Sequence, residues 1–507
     1  MFIRNKKNKS GSISVQIVRK INGRNHVLKI VGCTTDDNQL RILNEQARCE
    51  QELLETQASL FGHDDDIRLE GYLGQLQNAQ VRVVGPELVF GKIYDAIGYA
   101  SINESLLRHL VICRLAYPGS KLKTVDYLLR YQGIEIKVDT IYRFLDTIVH
   151  QYQHRIEDIT FEHTRRVLHE TPGIVFYDLT TLYFETSDED DFRKLGYSKD
   201  GKPQNPQILF GLLVTTNGYP IAYKMFEGNR WEGDTLLTTI QEFERRFSLT
   251  KPVIISDAGL LSNKNMDALE NAGYTYILGA RIKNENAEIT SRIHALHLND
   301  GASAELSYTK NRRLIIHYSS ARAGKDEHMR QRGLQRLERN VRSGKVTKSH
   351  INNRGYNKYL KLTGTTMVEI DYTKFETDKQ WDGLKGYVTN SSLSEKDIID
   401  NYRQLWQIEK AFRISKTDLR VRPIFHRLRR RIGAHMTIAF AAYAVYKELE
   451  RMLAQAQAPF SVIRAAQLTH TMYELDIILP QSKQRKKVLL QMNEEQSMLF
   501  DIMRKSS

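Results

Sequence analysis

Apolar positions along the chain follow two distinct periods. The segments GIVFYDLTTLYFE and KPVIISDAGL are continuous, β-branched and aromatic, the pattern of buried strands; the first carries Asp178 and the second ends at Asp257. Between them, ILFGLLVTT and YPIAYKMFEG flank Asn217-Gly218, a hairpin signal. A helix is predicted over about 234–247, and a short helix and the strand YTYILGA follow Asp257. The stretch NYRQLWQIEKAFRISKTDL has the helical period instead, with Tyr402, Leu405, Glu409, Phe412, Arg413 and Lys416 along one predicted face. Ser394 and Asp397 stand in the S-x-x-D relation that caps such a helix.

Upstream, SISVQIVRKINGRNHVLKIVG alternates about Asn22-Gly23 and predicts a hairpin, with a charged helix over about 37–57. Residues 87–167 are helical in pattern, and Lys121–Tyr131 and Asp139–Val149 are joined by a turn containing Gly133. That spacing suits a helix-turn-helix, with Lys137, Thr140, Tyr142 and Arg143 opening a recognition helix, and equally a helical hairpin packed on its neighbours.

Asp178, Asp257 and Glu409 thus come from two strands and a helix, followed two helical turns later by Lys416. A lone strand-end aspartate is commonly a turn residue. Three carboxylates on rigid elements have a chemical use: two divalent ions about 3.5–4 Å apart need hard oxygen ligands to stabilise the attacking and leaving oxygens of a phosphoryl displacement.

Here the chain resembles the DDE transposases of bacterial insertion sequences, in the insertion-sequence-four-like branch, whose helix signature is Y-x-x-R-x-x-x-E-x-x-x-x-x-x-K. Tyr402, Glu409 and Lys416 match it in register; Leu405 occupies the Arg position, with Arg403 and Arg413 nearby. The resemblance extends through VFYDLTTLYFE, SDAGL, the EGN run at Glu227 to Asn229, the run with Trp381, Asp382, Thr389 and Asn390, and RPIFHRLRRRIGAHMTIAF, and covers about residues 90–450. It implies an α/β fold with a ribonuclease-H-like core, for which three meandering strands, a helix and β-α-β is the expected order. It also implies catalysis by Asp178, Asp257 and Glu409 with two Mg²⁺ ions (Mn²⁺ substituting), cut-and-paste transfer of inverted-repeat DNA ends into target DNA, and a homodimer in the synaptic complex. Tyr402, Arg403, Arg413 and Lys416 are then expected to contact DNA, with Lys137, Thr140 and Arg143 from the helical region.

The stretch between Asp257 and Glu409 is too long for a plain core of this kind. The expected organisation is a hairpin and helix over 1–86, a helical DNA-binding region over 87–168, the core over 169–283 and 387–450, a mixed β/helical insertion over 284–386 and a helical tail over 451–507. The insertion has a basic middle, from Arg330 through Arg332, Arg336, Arg339, Arg342 and Lys345 to Lys348, which reads as a solvated helix face or as a DNA-backbone surface. Trp381 is read either as a core anchor or as a ring that stacks on an unpaired base. The acidic run Ser187 to Asp191 reads as a solvated loop, and His435 as a satisfied core histidine.

Charge adds to this picture. With 74 Lys+Arg against 60 Asp+Glu the net charge is +14, which points to a polyanionic partner. Three cysteines, Cys33, Cys49 and Cys113, at unrelated spacings argue against a disulfide or zinc framework and for a reducing compartment. The basic, polar start and the lack of long apolar runs suggest an unsecreted protein without membrane spans, expected in the bacterial cytoplasm and on the nucleoid when DNA-bound.

Overall fold

The computed structural model describes residues 1–505 apart from 22, 75, 78–79, 170–171, 260–261, 310, 353–354, 364–366 and 480–481. Two compact units appear, one formed by residues 1–82 with 474–488 and the other by 83–473 with 489–507.

In the first unit, β1 (Phe2–Lys7), β2 (Ile13–Ile21) and β3 (Arg24–Thr34) form an antiparallel sheet. Gly23 takes a left-handed φ of 79° at the turn, and Asn22 lies outside the described residues. The charged stretch forms one helix, α1 (Asp37–Leu73), longer than its sequence pattern suggests. The short strand β4 (Val81–Val83) joins a three-stranded sheet with β15 (Tyr473–Ile478) and β16 (Arg485–Leu489).

The second unit opens with helices α2 (Lys92–Ile97), α3 (Ser105–Ala116), α4 (Lys121–Tyr127), α5 (Val138–Gln151) and α6 (Gln153–Leu168). Its mixed sheet begins with the antiparallel meander β5 (Ile174–Tyr183), β6 (Gln207–Thr215) and β7 (Pro220–Glu227). After α7 (Leu236–Phe247) come β8 (Val253–Ser256), α8 (Asn263–Asn271) and β9 (Tyr276–Ala280), with β8 parallel to both β5 and β9. The chain continues through α9 (Ala287–His294), β10 (Ser303–Ser307), β11 (Arg313–Tyr318) and the long α10 (Ser320–Arg342). A small hairpin, β12 (Leu360–Thr363) with β13 (Met367–Ile370), precedes α11 (Tyr372–Thr377) and β14 (Leu384–Thr389). Helices α12 (Glu395–Arg403), α13 (Trp406–Thr417), α14 (Arg429–Gln455), α15 (Val462–Thr469) and α16 (Glu494–Lys505) complete it.

The sheet has eight strands in the order β10-β11-β14-β9-β8-β5-β6-β7. β10 and β11, which fall within 284–386, belong to that sheet. β10 and β11 extend the same sheet by pairing through β14, because LIIHY buries apolar side chains on both faces and needs a neighbour on each edge. What stands apart is the α10, β12, β13 and α11 segment, with its own small core around Leu334, Leu337, Tyr359 and Phe375.

Alternation along the strands distributes side chains between two apolar layers. Phe176, Ile208, Phe210, Leu212 and Ile255 join the layer built with α12, α13 and α14, while Val175, Tyr177, Leu209 and Ile254 join the layer built with α7 and α8. The 27-residue α14 is buried along most of its length, small-residue rich, and packs against α3, α5, α6 and β7. Among the described residues no helix is long and apolar enough to cross a membrane.

Candidate active site

Asp178 shares strand parity with Phe176 and so points to the sheet face that carries α12 and α13, and Asp257 directly follows β8. The two strands are parallel neighbours, with Phe176 opposite Ile255, and Ser256 Oγ donates to the Tyr177 carbonyl at 2.9 Å. Asp178 thus lies two residues beyond the last position of β5 paired with β8, and Asp257 directly after the end of β8. Each is held locally: Asp178 Oδ1 accepts from Leu179 N at 2.7 Å, and Asp257 Oδ1 accepts from Gly259 N at 2.8 Å. Glu409 is exposed on α13, which packs on β5 and β6 with Phe412 edge-on to Phe210 at 6.2 Å.

The continuous helix expected from Tyr402 to Lys416 is in fact two. Ser394 caps α12, accepting from Asp397 N at 3.1 Å, and that helix ends at Arg403. Through the junction, bonds run three residues back, Gln404 to Asn401 and Leu405 to Tyr402, before α13 starts. This tighter turn uncouples Tyr402 from the face of Glu409. Tyr402 is buried, with its ring 4.8 Å from that of Tyr387 and Lys385 Nζ 4.4 Å above it. Its hydroxyl lies against Gly279 of β9, where even a Cβ would overlap it. Burial raises the Tyr402 pKa well above that of an ordinary tyrosine, and the charges of Asp257, Glu409 and Asp178 raise it further. The phenol stays protonated, and all three carboxylates act on it.

Cations lie close to Asp178 and Glu409 and around Asp200. Lys199 Nζ donates to the Leu179 carbonyl at 2.7 Å and lies 4.0 Å from Asp178 Oδ1. Asp200 joins Lys416 at 3.4 Å and Arg422 at 2.7 Å. Burial lowers the Lys416 pKa, partly offset by Asp200. Burial likewise lowers that of Lys385, with Arg322 lowering it further and Glu409 opposing. Sequence reasoning missed Lys199, Asp200, Lys385 and Arg422; a lysine inside the apolar strand LKGYVT was the one visible signal. It also missed Trp406, half exposed one turn before Glu409.

The donor set, three carboxylates without His or Cys, suits a hard divalent ion. Among the described residues, however, no three His, Cys, Asp or Glu side chains are gathered closely enough to hold an ion between them.

The profile of the family described as Transposase DDE domain matches residues 169–445, more than half of the chain. The chain belongs to the DDE transposase family. No curated protein matches it. Among solved structures, a piggyBac transposase synaptic complex with hairpin DNA aligns over 83% of this chain and 81% of its own, at 10% identity and a TM-score of 0.38. The Mos1 transposase paired-end complex with the left transposon end aligns over 31% of this chain and 53% of its own, at 11% identity and a TM-score of 0.16.

Elsewhere in this DDE transposase, Lys137, Thr140 and Arg143 lie together on the exposed side of α5, whose Ile141, Leu145 and Ile148 are buried on the opposite side. Gly133, with φ 66°, ends the turn after α4. Arg403 is exposed and pairs with Asp400 at 3.1 Å, while Leu405, at the Arg position of the family signature, is buried in the core. Arg413 is exposed. Trp381 is half-buried, packs against the core layer on the α7 side of the sheet and meets the His294 ring at 4.4 Å. Arg330 is buried too, 2.6 Å from Asp382 and over the Phe375 ring, which removes it from the basic surface; Arg332, Arg336, Arg339, Arg342, Lys345 and Lys348 remain exposed. Thr389 and Asn390 stitch β14 to β9 by hydrogen bonds to Tyr276. His435 is buried, with Nε2 2.9 Å from the Val421 carbonyl.

Proposed function

We propose that this DDE transposase cleaves DNA at the inverted-repeat ends of a bacterial insertion sequence of the insertion-sequence-four-like branch and joins the freed ends to target DNA, by cut-and-paste transposition. The observation that carries the reading is the convergence of Asp178, Asp257 and Glu409 on one buried tyrosine beside the parallel strands β5 and β8. The antiparallel β5-β6-β7 meander followed by parallel β8 and β9 supports a ribonuclease-H-like core.

In this reading Asp178, Asp257 and Glu409 hold divalent metal, Mg²⁺ with Mn²⁺ able to substitute. When bound, such ions lower the pKa of water and stabilise the leaving 3′ oxygen. The protein's own groups do the rest. The buried Tyr402 phenol, protonated at neutral pH, adds no charge beside the carboxylates and packs against β9. Lys416 and Arg422, neutralised by Asp200 without DNA, become phosphate contacts once DNA displaces that pairing. The exposed arginines of α10 and the Lys137, Thr140 and Arg143 side of α5 supply backbone contacts that position the duplex. A homodimer would present two such sites to paired ends.

The deciding experiment incubates the protein with DNA carrying the cognate ends and Mg²⁺, and scores cleavage and joining separately. Both products are expected. Cleavage without joining indicates a hydrolytic nuclease, and binding without cleavage a silent DNA-binding descendant; either outcome overturns the proposal.

A further inference from the structure

On the second unit a cavity of about 550 Å³ lies between the start of α4 and the segment leading into α14; none of the three acids lines it, and Arg422 links it to the Asp200 ion pair. Its lining includes Arg114, Lys121, Arg422, His426 and His435, and no Asp or Glu. Arg114, Lys121 and His435 are each only 5% exposed. Buried cations are almost always paired with carboxylates, since an uncompensated charge costs several kcal/mol in desolvation. Here that compensation is missing. Arg114 Nη1 reaches only the carbonyls of Leu419 and Arg420, at 3.3 Å each. The charged or ionisable groups that act on Lys121 are Arg114, which repels it, and the Cys113 thiol. His435 Nδ1 is buried with no hydrogen-bond partner. Asp146, which acts on His426, is engaged by Arg430 and Arg431, and Asp200, which pairs with Arg422, also holds Lys416. Burial accordingly pushes the Arg114 guanidinium down to about 10 and lowers the Lys121 ammonium well below its ordinary value.

We infer that this cavity is a phosphate-binding site in which Arg114 and Lys121 supply the buried donors for one phosphate group, while His435, whose Nε2–H donates to the Val421 carbonyl, offers Nδ1 as acceptor to a protonated phosphate oxygen. A tetrahedral dianion or a phosphodiester matches several converging N–H donors and supplies the missing negative charge. The exposed ring of Phe425 on the cavity wall adds a surface on which a base can stack, so a nucleotide fits better than a carboxylate ligand. The phosphate can belong to the DNA backbone or to a free phosphate ester; the chemistry is the same, and it does not depend on the acids being catalytic.

The test compares wild type, Lys121→Met, His435→Asn and Asp178→Asn by thermal melting with inorganic phosphate, with a deoxynucleoside monophosphate and with a short DNA duplex. Phosphate is expected to raise the melting temperature of wild type and of Asp178→Asn alike. Lys121→Met, which replaces a buried unpaired cation by an apolar chain of similar length, is expected to melt higher than wild type without phosphate and to lose the phosphate response. His435→Asn should lose most of that response. Duplex affinity falling about tenfold in Lys121→Met, with a salt slope shallower by about one, assigns the phosphate to the DNA backbone. Unchanged duplex affinity together with a lost response to the monophosphate assigns it to a free ester. A wild type that ignores both small phosphates and whose duplex affinity survives Lys121→Met overturns the inference, as does an undiminished phosphate response in both Lys121→Met and His435→Asn. Loss of catalysis in Asp178→Asn with the phosphate response intact keeps the two sites separable.

Discussion

Gly279→Ala is the smallest change that reaches the acidic centre from outside it. Gly279 sits on β9 with an ordinary strand conformation, so no backbone strain opposes alanine there; only space does. Its Cβ would overlap the Tyr402 hydroxyl and lie 3.2 Å from the Ala258 amide. Overpacking of this kind costs about 1–3 kcal/mol. The relief available is specific: Tyr402→Phe removes the overlapping oxygen and leaves Cζ at 3.2 Å, tight but accommodated by a shift of a few tenths of an ångström. The single Gly279→Ala variant should therefore lose about 1–3 kcal/mol of stability. It should also lose up to about 100-fold in cleavage, because a misplacement of about 1 Å at an active centre has that effect. Combined with Tyr402→Phe, it should recover most of the stability, with a coupling of about 1–2 kcal/mol in a double-mutant cycle. Urea denaturation and metal-dependent cleavage of end DNA measure the two effects. Wild-type stability in Gly279→Ala, or a double variant no better than the single, would show that Tyr402 does not pack against β9 as described.

Further outcomes follow from the same geometry. Asp178→Asn, Asp257→Asn and Glu409→Gln should each abolish cleavage and joining while end binding stays within a few-fold, since arginine and lysine supply the phosphate contacts; a gel-shift assay run beside the cleavage assay separates the two. Lys416→Ala should weaken end complexes and make their salt dependence shallower by about one charge; an unchanged slope with full joining would leave Lys416 paired to Asp200 as a structural ion pair. Trp381→Ala should lower the melting temperature and reduce activity only in proportion to folded protein, because the ring packs on the core beside His294; activity lost at unchanged stability would contradict that. Glu448, buried on α14, accepts from Tyr219 and from Arg451 Nε, each at 2.9 Å, and has His163 3.4 Å away. Burial alone would raise its pKa, but Arg451 and His163 outweigh that and hold it at about 2. A carboxylate whose folded pKa is depressed stabilises above its unfolded value, near 4.3, and loses that contribution as pH falls toward 2. Glu448→Gln should flatten the acid limb of stability over that window, as read by melting at stepped pH.

The local period of the chain was enough to place Asp178 with Phe176 on one sheet face, because strand alternation is a property of neighbouring residues. The meander-helix-β-α-β order and the Ser394 cap were legible for the same reason, since turns and caps are short-range chemistry. Other features depended on contacts between residues far apart in the chain. The break between α12 and α13 arises within a run that keeps an unbroken apolar period, so nothing local announces it. Arg330 reads as one more charge on a solvated helix until Asp382 and Phe375, some fifty residues later, enclose it. β10 and β11 look like the start of an insertion, and only pairing through β14 makes them part of the main sheet. The burial of Arg114 and Lys121 without a carboxylate was likewise invisible, because a one-dimensional charge pattern shows which residues are cationic but not which of them folding removes from water.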